Sequence, residues 1–151
     1  MSHITHVELQ VTSLEALKSA CATLGLTFHE GQKQYNCYMS RSGEANYKRN
    51  YPDEWERRPQ NVEHVISVPG TWAQIAVNKR ESGYTLHFDE WDPNLQRQED
   101  SITSRLGKGL EKVKQMYAVS MAKIQARVRG WNVASTTLKN GSIKLVMSGV
   151  S

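Results

Sequence analysis

From Ile102 onward, apolar residues recur at Leu106, Leu110, Val113, Tyr117, Met121, Ile124 and Val128, in steps of three or four. That period keeps one face of a helix apolar and predicts a long helix here. Gly107 and Gly109 leave its start loose by several residues. Gly130, behind Arg127 and Arg129, marks its end, because glycine takes the left-handed conformation that stops a helix. Beyond it, Trp131 to Leu138 and Ile143 to Met147 read as strands joined at Asn140-Gly141. Asn-Gly suits a type I′ turn, whose central residues both need positive φ.

In the first two thirds of the chain the period is mostly two. His3 to Val11 places Thr5, Val7, Leu9 and Val11 on one face of a strand and His6, Glu8 and Gln10 on the other. Thr12 to Glu15 fits a capping box, followed by a short helical stripe of Leu14, Leu17, Cys21 and Leu24 that Gly25 ends. Leu26 to His29 and Gln34 to Met39 are weaker strand candidates. Val62 to Val68, Trp72 to Val77 and Tyr84 to Phe88 are stronger ones, with turns at Pro69-Gly70 and Ser82-Gly83. In the last of these, Tyr84, Leu86 and Phe88 alternate with Thr85, His87 and Asp89, so one face is expected in the core and the other in water. Asp92-Pro93 is a natural helix start.

Between Ser40 and Asn61 the pattern is lost. Gly43, Pro52 and Pro59 break it, and charges of both signs crowd Asp53 to Arg58. An irregular insertion is expected there, and stretches of that length are commonly functional. The whole order predicts one α+β domain over residues 1–151. Its architecture is a mostly antiparallel sheet, two helices packed on one face, and a C-terminal β-hairpin.

Composition narrows the class without naming a reaction. A chain of 151 residues with 38% hydrophobic and 23% charged residues is ordinary for a globular domain. The longest apolar runs are a few residues, too short to span a membrane. The amino terminus lacks the pattern of a secretory signal, so a cytoplasmic protein is expected, with Cys21 and Cys37 as buried free thiols. Net charge is +4, unevenly spread. Residues 1–104 hold ten Lys and Arg against fourteen Asp and Glu, a net of −4, whereas residues 105–151 hold nine against Glu111, a net of +8. Such asymmetry points to an acidic partner, nucleic acid, or self-association of the acidic and basic halves.

Several stretches carry a family resemblance: Met1-Ser2-His3-Ile4, Leu24-Gly25-Leu26, Gly83-Tyr84 through Trp91, Tyr117 through Gly130-Trp131-Asn132-Val133, and Asn140-Gly141-Ser142-Ile143-Lys144-Leu145-Val146. Together they resemble the small proteins first named as a hypothetical chloroplast reading frame, with plastid, cyanobacterial, bacterial and phage members. Ser40 to Asn61 departs from that pattern. The shared motifs are turns, glycines and apolar positions, so the resemblance implies a compact α+β accessory protein. It brings no activity, catalytic residue or cofactor; some relatives are encoded near AAA-type ATPases.

Candidate chemistry is sparse. His3 and His6 have opposite strand parity, while His64 and His87 lie on separate strands where they could meet with Asp89 as a metal-dependent hydrolase. No ligand spacing completes a metal motif, so neither metal nor cofactor is expected. Asp89, Glu90 and Asp92 surround Trp91 and read as a charged strand end with a helix cap. Gly107-Lys108-Gly109 lacks the context of a phosphate loop, and no Gly-x-Ser-x-Gly elbow appears.

Two binding readings remain. On one continuous helix Arg105, Lys108, Lys112, Lys123 and Arg127 share a sector that suits a phosphate backbone. Tyr35, Tyr38, Tyr47, Tyr51 and Trp55 are interleaved with Arg41, Lys48, Arg49, Arg57 and Arg58, although Glu44, Asp53, Glu54 and Glu56 dilute that charge. Exposed aromatics beside arginine resemble interface anchors. The leading expectation is therefore a non-enzymatic accessory protein, a regulator or inhibitor of phage or bacterial origin. It would bind another protein through Tyr47, Tyr51, Trp55, Arg57 and Arg58; nucleic-acid binding and a metal-dependent enzyme are the alternatives.

Overall fold

The computed structural model describes residues 4–41, 43–89 and 102–149, without the side chains of residues 4–6, 8 and 39. His3, Glu90 and the Asp92-Pro93 helix start lie outside them. Five strands form one antiparallel sheet: β1 (Ile4–Val11), β2 (Thr27–Glu30), β3 (Val62–Ser67), β4 (Gln74–Arg80) and β5 (Gly83–Asp89), in the order β1-β5-β4-β3-β2. Helix α1 (Leu14–Thr23) carries the chain from one edge strand to the other. The fold is α+β, and α1 and α5 (Glu111–Val128) pack together on one face of the sheet.

The cap of α1 is Ser13, not Thr12: its hydroxyl accepts from the Ala16 amide at 3.1 Å. The Thr12 and Ser13 amides instead donate to the Tyr117 hydroxyl, at 2.9 and 3.2 Å, which ties α1 to α5. At its other end Leu26 N reaches Cys21 O at 2.8 Å across Gly25, whose φ is +75°. Gly130, at φ +71°, ends α5 in the same way, with Trp131 N on Ala126 O at 2.8 Å.

The long helix is not continuous. A short helix, α4 (Ile102–Leu106), is followed by a 3-10 turn (Lys108–Leu110), and α5 starts only at Glu111. Gly107, Gly109 and Leu110 all have positive φ, which no helix accommodates. Leu110 bears that strain because its side chain is fully buried in the main core. Most of the apolar stripe does turn inward, but Val128 is 81% exposed at the end of α5.

Two strand expectations change. Gln34 to Met39 is not a strand, since β2 already occupies the free edge of β3. The segment instead bonds the start of β4, Gln74 N to Asn36 O at 3.0 Å and Asn36 N to Gln74 Oε1 at 2.9 Å, before a 3-10 turn (Tyr38–Ser40). The hairpin of β6 (Asn132–Thr137) and β7 (Ile143–Ser148) forms, but not on a type I′ turn. Gly141 alone among the loop residues has positive φ, and its amide donates to Leu138 O at 3.0 Å. This is a type I turn closed by a left-handed glycine, the usual three-residue hairpin loop.

The stretch from Ser40 to Asn61 is not irregular. It contains α2 (Glu44–Asn50) and α3 (Pro52–Arg57). With the chain on either side of it, this segment covers the second face of the sheet. The expected wet face of β5 is therefore dry: His87 and Asp89 are each 3% exposed.

Candidate functional site

The second face is built from alternating positions of the strands. Val65 lies opposite Ala76, and Ala76 opposite His87, so all three side chains share that face. Val65 and Ala76 are fully buried yet lie outside the helix-side core. A satellite cluster covers them, with Cys37 and Tyr47 buried and Tyr35 and Trp55 packed beside them. Tyr47 meets Trp55 edge to face at 5.4 Å and Tyr51 at 6.4 Å. The Arg58 guanidinium lies 3.7 Å over the Trp55 ring, and its Nη1 donates to Trp55 O at 2.6 Å.

This geometry withdraws one residue, Tyr47, from the expected contact surface. Tyr47 is 4% exposed and holds the cover together rather than offering itself to a partner. Trp55 is half-buried under Arg58, Arg57 pairs with Glu54, and Tyr51 stays at the surface. The two helices expose mainly their charged sides.

Beneath the cover lies a polar cluster that sequence reasoning missed. The Cys37 thiol donates to Asp89 Oδ2 at 3.4 Å, and both groups are buried. Burial pushes the Tyr35 phenol well above its ordinary pKa, helped by neighbouring Cys37, Tyr47 and Asp89. Burial also raises Tyr47, with Cys37, Glu54 and Asp89 adding to it. Both phenols thus stay protonated, and the Tyr47 hydroxyl donates to Glu54 O at 3.5 Å. A cavity of about 310 Å³ opens on this cluster, lined by Tyr35, Cys37, Tyr47 and Trp55 with Lys33, Glu44 and Arg58. The alternation of β5 placed Asp89 on this face; only the fold brings Cys37 and Tyr35 to it.

The metal reading does not survive the strand register. His64 lies opposite Val77 and Val77 opposite Leu86, so His64 belongs to the face of Leu86 and His87 to the other. His64 sits against Phe28 and Tyr84 at the helix-side edge, and its Nδ1 accepts from Gly31 N at 3.0 Å. Among the described residues no group of His, Cys, Asp and Glu could hold a metal ion. Cys21, a free thiol on α1, is pushed up to about 12 by burial and offers no nucleophile.

The basic row is divided as well. Arg105 lies on α4 against Gly70, and Lys108 lies in the turn after it, so neither continues the α5 surface. Lys112, Lys123 and Arg127 do share one flank of α5, where Arg127 Nη2 donates to Glu15 Oε1 at 2.7 Å.

The hairpin runs back along α5, and its tip is held where Gln115 Nε2 donates to Gly141 O at 2.9 Å. Val133, Ile143 and Leu145 are half-buried on the inner side. Every other described side chain of the ribbon is open, including Val146 at 52% and Met147 at 46% exposure. β6 and β7 pair with each other alone, so both outer edges are unpaired among the described residues. No described helix is long and apolar enough to cross a membrane. Compared with known proteins, the chain matches no family model, no curated protein and no solved structure.

Proposed function

We propose that the chain is a non-enzymatic accessory protein that acts by binding another protein, with its C-terminal hairpin as the contact. The observation that carries this reading is the ribbon of β6 and β7, unpaired at both edges, with Trp131, Val146 and Met147 at the surface. Unpaired edges take up an extended segment of a partner, and exposed apolar side chains on either face of the ribbon can add to that contact. The contact is thus moved from Tyr47, Tyr51 and Trp55 to the other end of the chain. A cytoplasmic setting belongs to the same proposal, and two free thiols support it. So does the resemblance to the chloroplast reading-frame family, whose phage and bacterial members fit an accessory role.

The test is affinity capture of the tagged protein from its native host, with and without nuclease. A stoichiometric protein partner that survives nuclease, and is lost from a Trp131→Ala, Met147→Ser double variant of unchanged melting temperature, supports the reading. Capture unaffected by that variant but lost in Tyr51→Ala, Trp55→Ala returns the contact to the α2–α3 cover. Recovery that collapses with nuclease favours the second reading, nucleic-acid binding. That reading rests on the flank of Lys112, Lys123 and Arg127 within a segment of net charge +8. Self-association through the acidic and basic halves would appear as capture of a second copy of the chain.

A further inference from the structure

Arg57, Arg58 and Arg80 line one cleft of about 480 Å³ on the second face of the sheet, with Asn61, Asn78 and His87 as its polar wall. We propose that this cleft binds a small phosphate-bearing molecule. It lies across the sheet from α5 and the hairpin, so it is independent of the protein-binding reading. Glu56 is the one carboxylate in the lining, and the cleft carries a positive excess.

The arginines are held, which distinguishes them from a loose surface patch. Arg58 is clamped on Trp55, as described above. Arg57 Nη2 is paired with Glu54 at the end of α3. Arg80 Nε donates to Thr85 Oγ1 at 3.3 Å. Arginine can only donate, so Thr85 Oγ1 is the acceptor there, and it also shares a hydrogen bond of 3.0 Å with His87 Nε2, in which either group can donate. The wall thus adds hydrogen-bonding groups beside the three guanidinium groups. Asn78, itself buried, is fixed by the Asn61 amide, which donates to its Oδ1 at 2.7 Å.

Each of these bonds uses a minority of the five N–H groups on its guanidinium, and the others remain for a ligand. A planar carboxylate satisfies one such fork. Several forks around one space suit a tetrahedral dianion, which accepts from several directions. The volume exceeds what a lone phosphate fills and falls in the range of small-molecule sites.

The experiment titrates inorganic phosphate, and separately acetate, into isotope-labelled protein while backbone amides are followed by NMR. Saturable shifts confined to residues 57–61, 78–80 and 85–87, at least about tenfold weaker with acetate, support the site. Arg80→Gln and Arg57→Ala should each weaken phosphate about tenfold, whereas Lys112→Glu should not. Shifts spread over the surface, equal affinity for acetate, or equal loss in Lys112→Glu would each overturn it. Should Arg80→Gln fail to fold, Arg57→Ala decides, since Arg57 is exposed on α3 and carries no core contact.

Discussion

The two faces of the sheet are buried equally well by opposite means. On the helix side, Leu17, Ile66, Ile75, Leu86 and Phe88 are fully buried against one another, and α1, α4 and α5 supply an apolar cover. On the other side Val65 and Ala76 are just as dry, but their neighbours are His87, Asp89, Asn78 and Cys37. Apolar packing is non-directional and tolerates many arrangements. Buried polar groups do not, and each must find a partner. Here no buried side-chain nitrogen or oxygen among the described residues lacks one. The helix face therefore serves stability, and the second face carries the specific hydrogen bonding from which a site can be made.

The largest effect expected from breaking this contrast is on the helix side. Leu17→Ala deletes a fully buried side chain and should cost about 2–5 kcal/mol of unfolding free energy, read by chemical denaturation. Its amide exchange should quicken across the whole sheet. Tyr47→Ala removes the centre of the satellite cluster instead. Quickened exchange should then stay within residues 33–61, as for a local opening of the cover. If Tyr47→Ala loosens α1 and α5 as fully as Leu17→Ala does, the two faces are one cooperative unit and the contrast fails.

A smaller effect comes from His64, the one imidazole described on the helix side of the sheet. Burial lowers its pKa below the ordinary 6.5, against the pull of Glu30 and Glu63. The folded state thus prefers the neutral ring more than the unfolded chain does. Its contribution is complete above pH 6.5 and is lost as pH falls from there toward the depressed folded value. The His64 ring should titrate below 6.5 by NMR. Between pH 7 and 5 the wild type should lose more stability than His64→Gln, and parallel losses would show that the ring is not responsible.

How far the fold was legible follows from which interactions are local. The strands, the helix stops at Gly25 and Gly130, and the sharing of faces along β5 all depend on period and on positive φ, which are properties of neighbouring residues. The cover was not legible because α2 and α3 have seven and six residues, too short to show a 3.6 period. Their apolar residues, Tyr47 and Trp55, looked like exposed anchors because the surface that buries them comes from distant strands. The same holds for His64 and His87: sequence gave their strands, but the register that parts them is set between Val62 and His64, where β3 slips against β4. Asn140-Gly141 was a correct turn with the wrong geometry, because Asn140 keeps negative φ and leaves the left-handed position to Gly141.

The smallest stability effect tests the remaining alternative for the first side of the molecule. Glu15 and Arg127 join α1 to α5 at 2.7 Å, but their side chains are 64% and 68% exposed. Such a pair contributes about 1 kcal/mol or less, so Glu15→Gln should barely move the denaturation midpoint. It does change the electrostatics, because it removes a negative charge from beside Arg127 and releases the Arg127 guanidinium. If that flank follows a phosphate backbone, Glu15→Gln should bind single- or double-stranded DNA more tightly at low salt. Its log–log salt dependence should be steeper by about one counterion. No binding by either protein would leave Lys112, Lys123 and Arg127 as a solvated flank. Charge-assisted recognition would then rest on the opposite face, where arginines are held in place by Trp55, Glu54 and Thr85.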